Sequence, residues 1–186
     1  MTNKPSLLSL ITKSIFILIL VRITYVLISR TQTYIFLDCV NLLIHEAGHL
    51  VFRAFGEFPM YLGGTLMQLI IPSLFIFYFL SKRDFFATFF SLFWFGQNYI
   101  GISYYLADAK DKVLPLLHDN LRPNKEGHDW AYILPKLGLL DHAKLLGEII
   151  FWIGGLIMVF AIVCAILHTV FGFIEYLDSR STKDVH

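Results

Sequence analysis

The chain is built around apolar runs of membrane-crossing length. Roughly 7–29, 34–56, 62–81, 85–107 and 147–174 each come close to the ~20 residues a helix needs to cross a hydrocarbon layer. The 186 residues are 56% hydrophobic and 16% aromatic, with mean hydropathy +0.65. Soluble domains average about 45–50% apolar, so the excess reads as lipid-facing surface rather than as a larger core. No water reaches the middle of a bilayer to satisfy backbone N–H and C=O groups, and a run of this length must satisfy its own as a helix. The expected fold is an all-α membrane protein, one bundle over 1–186 with about five transmembrane helices.

Charge and cysteine usage remove several function classes. A formal net charge of +1 gives no basic face for nucleic acid. Cys39 and Cys164 both fall in apolar runs, so neither a disulfide framework nor a thiolate zinc site is expected. The first run is too long for a signal peptide, carries Lys13 and Arg22, and lacks a small-x-small cleavage site. It reads as a retained span. The basic residues outside the runs nearly balance: Arg30, Lys82, Arg83, Arg180 and Lys183 on one side, Lys110, Lys112, Arg122 and Lys125 on the other. Loop charge therefore sets no orientation.

One polar segment, about 109–146, separates the fourth run from the fifth and carries Pro115, Pro123, Pro135 and Gly127. It is longer than an ordinary connection, which points to function or to an embedded interfacial helix. Asp129 to Leu140 is rich in apolar and aromatic residues, as suits a segment at headgroup level, and Asp141 is placed to cap the helix that follows.

The second run contains His45-Glu46-Ala47-Gly48-His49. On a helix, residues four apart share a face, so both imidazoles can reach one metal ion while the glutamate between them stands beside a metal-bound water. Binding to zinc brings the pKa of such a water from ~16 toward ~7, where a neighbouring carboxylate can take its proton. Asp38, Asn41, His45, Glu46, His49 and Arg53 recur at threes and fours, so most share one face, with Val40, Leu43, Ile44, Leu50 and Val51 around the rest. Ionisable groups at membrane depth normally face a bundle interior or a wet cavity. A buried seam that only fixes helix packing is the alternative, and the seam's spelling of HExxH argues against it.

The fourth run repeats the pattern with Asn98, Gly101, Tyr105 and Asp108, residues that also serve helix packing. Between the two runs, Gly64, Gln68 and Pro72 share a face. The pair Gly63-Gly64 permits either close helix approach or an extended edge with which a peptide could pair. Asn98, Gly64 and Gln68 are accordingly the candidate substrate-binding residues.

A catalytic zinc site takes three protein ligands and keeps one open position. If the spans are right, the second and fourth helices run in the same direction, and the polar segment emerges on the side toward which His49 lies. Candidates for the third ligand are His128, then Asp108, then Asp129; those not ligating would orient the imidazoles. Gly127-His128-Asp129-Trp130 combines a flexible residue, two donors and an aromatic able to anchor at the interface. His118 and His142 read as solvated, His168 as too near the opposite surface, and His186 as part of the tail.

These residues resemble the site-2-protease type of intramembrane zinc metalloprotease, and more closely small bacterial membrane proteins with His-Glu-Ala-Gly-His in an early span. The resemblance covers mainly 38–72 and 98–130. It implies that His45 and His49 ligate zinc and that Glu46 is the general base. It also implies that the Asn98–Asp108 helix corresponds to the one supplying an asparagine and an aspartate ligand. The chain departs from that pattern where Tyr105-Leu106-Ala107-Asp108-Ala109 stands in place of the family's Leu-Asp-Gly. The implied activity is hydrolysis of peptide bonds of a membrane protein or peptide substrate at or within the bilayer, by a multi-pass protein of the bacterial inner (plasma) membrane. A metal-binding scaffold without catalysis is the non-enzyme alternative, although a scaffold needs no Glu46. A di-iron lipid desaturase or hydroxylase would need a larger clustered set than His45, His49, His118, His128 and His142.

Overall fold

The computed structural model describes residues 6–30, 35–114 and 128–181. All regular structure among them is helical: α1 Leu7–Ile28, α2 Phe36–Phe52, α3 Glu57–Ser81, α4 Phe85–Ala107, α5 Asp129–Lys136 and α6 Ala143–Ser181. Single 3-10 turns occur at Arg53–Phe55 and Leu140–His142. Three stretches, α1, α3 and Leu140–Ser181, are long and apolar enough to cross a membrane. The expectation of about five spans is met to that extent. At 17 residues α2 is shorter and carries the polar stripe, and α4, with 23 residues, includes Gln97 and Asn98.

Helix ends follow local chemistry. Ser6 Oγ accepts the N–H of Ser9 at 3.2 Å, and Asp84 Oδ1 accepts that of Ala87 at 3.1 Å, each satisfying a donor that the first helical turn leaves orphaned. Asp38, in the first turn of α2, reaches back to the N–H of Ile35 at 2.8 Å. Gly56 takes φ 108, in the left-handed region that glycine adopts without a Cβ penalty, and so lets α3 begin one residue later. Asp141 pairs with Lys110 at 2.6 Å from within the 3-10 turn.

The helices lie in the spatial order α1, α6, α4, α3, α2, with α5 resting against α3 and α4. Lipid tails are as apolar as leucine, so dispersion and close backbone approach hold such a bundle more than burial from water does. A core of Ile17, Leu20, Phe93, Ile100, Phe151 and Met158 joins α1, α4 and α6. Gly48 and Gly63 bring α2 and α3 together so tightly that a Cβ on Gly48 would strike the Gly63 carbonyl. Gly63 and Gly64 are thus interior to a helix, the close-approach alternative rather than an extended edge.

Three hydrogen bonds set α2 against α4 at one level. Asn41 Nδ2 donates to Gln97 Oε1 at 2.6 Å, Trp94 Nε1 to Asn41 Oδ1 at 2.7 Å, and Gln97 Nε2 to Asp38 Oδ1 at 2.6 Å. Asp38 in turn accepts the N–H of Ile35. Higher up, the His45 ring meets Tyr105 edge-on at 5.9 Å. Contacts that advance together along both helices mean that α2 and α4 run in the same direction, as the spans predict.

Candidate metal centre

The two histidines of α2 meet at a single carboxylate oxygen from outside that helix. His45 Nε2 lies 2.8 Å and His49 Nε2 3.4 Å from Asp129 Oδ2, and donor atoms of the three residues all lie within 4.8 Å of one another. Ligands at about 2.0–2.1 Å in a tetrahedron stand roughly 3.3 Å apart, so this trio needs little adjustment to hold one small ion. His45 and Asp129 are buried, 8% and 2% exposed, and His49 is half-buried.

The opposite ring nitrogens decide where the protons sit. His49 Nδ1 lies 2.8 Å from the main-chain carbonyl of Met60, which can only accept, so Nδ1 carries a proton. His45 Nδ1 faces Gln68 Oε1 at 2.9 Å in the same manner. With Nδ1 protonated, each neutral ring presents its Nε2 lone pair to the Asp129 carboxylate. Lone pairs facing an anion are stable only with a cation between them, either a shared proton charge or a metal ion. Burial by itself pushes the Asp129 carboxyl up; hydrogen bonds and positive charge from the two imidazoles in their protonated form outweigh it and hold the group below the ordinary carboxylate range. A buried unpaired carboxylate would cost several kcal/mol, so the pairing is obligatory.

Gly64 and Gln68 serve this arrangement from α3. Gln68 fixes the tautomer of His45, the customary role of a partner behind a metal-ligating imidazole. Gly64 leaves the space in which that ring lies. Both were expected to contact substrate, and the structure places both against His45. Glu46 is half-buried, outside the trio of His45, His49 and Asp129, and close enough to interact electrostatically with His49 and Tyr105.

The geometry brings Asp129, rather than His128, to the two histidines. His128 is the N-cap of α5, its Nδ1 accepting the N–H of Ala131 at 3.3 Å, and its ring stacks on Tyr105 at 4.3 Å. Its Nε2 points toward Asp108 Oδ2 at 3.5 Å, too long for a well-formed hydrogen bond, and is otherwise unpartnered. Burial keeps this imidazole neutral, lowering its pKa against the pull of Asp108. Asp108 in turn accepts the N–H groups of Val113 at 2.8 Å and Leu114 at 3.0 Å, so it shapes the turn after α4 and stays out of the trio. The side chain that opens α5 is the one that reaches α2, because the cap turns His128 away and the next residue inward.

Tyr105 and Gln97 are the residues that sequence reasoning passed over. The Tyr105 hydroxyl accepts the N–H of Asp129 at 2.9 Å, tying α5 to α4 beside the imidazoles. Its place in the stripe with Asn98 and Asp108 was the available signal. Gln97, 1% exposed, links α4 to Asp38 and Asn41, whereas Asn98 donates to Trp94 O within its own helix at 3.0 Å. Trp130, expected as an interfacial anchor, packs against Leu106, Ala109, Leu134 and Ala143. His168 lies beside Phe85 and Phe89 at the far end of α4, in keeping with its exclusion. His118, Gly127 and His186 lie outside the described residues.

No family model matches this chain, and comparison with characterised proteins and with solved structures gives no match.

Proposed function

We propose that this chain is a membrane-embedded zinc metallopeptidase, with His45, His49 and Asp129 as ligands and Glu46 as general base. One observation carries the reading. Two imidazoles, each held by Nδ1 from behind, direct their Nε2 atoms at one buried carboxylate oxygen. Two nitrogens and one oxygen suit zinc among the common divalent ions, and three protein ligands leave a position for water. A bound zinc ion would supply Lewis acidity and a water acidified to near neutrality.

The chain's own groups then have defined tasks. Gln68 and the Met60 carbonyl hold the ring tautomers. Tyr105 and the His128 cap hold Asp129 against α2. Glu46, the residue between the two ligands, takes the proton of the attacking water and returns it to the leaving amine. α2, which carries His45, Glu46 and His49, and α4, which carries Tyr105, run inside the bilayer beside the three apolar spans, for a total of about five crossings. The substrate is a peptide segment of a membrane protein, and the host membrane is the bacterial plasma membrane.

Two measurements test the reading together. Purified protein should contain one zinc per chain by elemental analysis. Glu46→Gln should retain that zinc while losing turnover by at least ~10²-fold, the usual scale of a lost general base. Comparison of membrane proteomes from cells carrying either form would display the turnover as an uncleaved precursor. A Glu46→Gln protein with full activity would sink the peptidase mechanism, and two irons per chain would favour an oxygenase.

A further inference from the structure

Gly101 has no structural reason to be a glycine. From Phe86 to Ala107 it is the one exposed residue of α4; every other is buried or half-buried. A Cβ built on it would meet nothing within 4 Å, whereas at Gly48, Gly63, Gly64, Gly96, Gly147 and Gly154 it would collide. A glycine inside a helix costs roughly 1 kcal/mol against alanine. Here no close packing offsets that cost.

Its surroundings say which way the open space faces. Trp94, Gly101 and Tyr105 follow at seven and four, so they share a stripe of α4. Trp94 reaches α2 through Asn41, and Tyr105 reaches it through the His45 ring. Gly101 lies between these two bridges on the same face and touches neither helix partner. α2 and α4 are therefore spanned at both levels and parted between them, with the metal-ligating His45 at one end of the gap. Gly101 stands about 6 Å below Tyr105 along the axis.

We infer that the gap over Gly101 is the groove in which an extended peptide segment lies as its amide is brought to the metal centre. This rests on the peptidase reading above and adds where the substrate chain runs. Glycine lets another backbone come within contact distance of the helix, which an α4 side chain would prevent. A peptide is favoured over an acyl chain because Asn98, one turn from the glycine, is buried with its Oδ1 unpartnered. An extended main chain brings N–H groups that such an acceptor can bond; a hydrocarbon tail does not.

The test uses the full chain in detergent. Gly101→Cys, with Cys39→Ser and Cys164→Ser, introduces a single thiol at a position with room for it. Maleimide should label that thiol readily. Acetyl-trileucine amide should slow labelling at least about fivefold, and octanamide at the same concentration should not. Equal labelling with and without the peptide overturns the groove, and protection by octanamide alone assigns the gap to lipid and overturns it too. Gly101→Leu in the otherwise native chain gives a second reading, should the thiol variant fold poorly. It should weaken a trileucyl hydroxamate on the cobalt-loaded protein by about tenfold or more, the scale for excluding a side chain from a filled site, and leave acetohydroxamate unchanged. Unchanged binding of both hydroxamates overturns the inference. Peptide protection in a protein that binds no Co²⁺ would instead leave the groove standing and sink the metallopeptidase reading.

Discussion

Gly64 lies directly against the imidazole of His45: a Cβ at that position would come within 2.5 Å of Nε2 and 2.6 Å of Cε1. Real Cβ contacts do not reach such distances, so either the ring or α3 must move if any side chain is added. The ring is held at its other nitrogen by Gln68, four residues further along α3. One helix thus supplies both the space for the ring and the bond that orients it.

Gly64→Ala is expected to displace His45 Nε2 from Asp129 and to reduce zinc affinity by at least about tenfold, as loss of a supporting contact does at other metal sites. Gly101→Ala, one helix away and with open space above it, is expected to leave zinc affinity unchanged. Competition against a fluorescent chelator measures both. A Gly64→Ala protein with native affinity would show that the ring does not need its observed position.

Asp129→Ala is expected to abolish stoichiometric zinc, because two imidazoles alone hold the ion poorly. His128→Ala should be milder: it removes the cap of α5, worth about 1 kcal/mol, and loosens Asp129 without deleting a ligand. Asp108→Ala should behave like His128→Ala, since its carboxylate organises the turn after α4. Elemental analysis of the three variants ranks them. Zinc lost with His128→Ala but retained with Asp129→Ala would reverse the ligand assignment.

Acidification should undo the docking of α5. Burial holds the His128 pKa below its ordinary 6.5, with Asp108 pulling weakly the other way. A histidine whose folded pKa is depressed binds its proton more readily when released, so its neutral form contributes stability that is complete above about 6.5 and is lost as pH falls through the lower folded value. Protonation also removes the Nδ1 lone pair that caps Ala131. The exchange protection factors of the Ala131 and Tyr132 amides in the metal-free protein, corrected for the intrinsic pH dependence of exchange, should fall between pH 7.5 and 5, and His128→Asn, which keeps a capping acceptor without titrating, should flatten that dependence. An equally steep dependence in His128→Asn would place the titration elsewhere.

The helical class, the apolar spans and the His45-Glu46-His49 face could be read in the sequence because each is a local periodicity: side chains three and four apart share a helix face whatever the rest of the chain does. The common direction of α2 and α4 followed from the one long helix expected between them. The identity of the third donor did not follow, because His128 and Asp129 are neighbours and point in different directions once α5 begins. Which of the two turns inward depends on a cap formed with Ala131 and on the Tyr105 hydroxyl, a contact across 24 residues. Gln68 and Gly64 were legible as a shared face of α3, but that His45 occupies this face depends on how closely Gly48 and Gly63 let two backbones approach. Local spacing determines which side chains a helix presents together. Only tertiary packing decides what they meet, since those partners are fixed by the distance and angle between helices rather than by any one helix's own sequence.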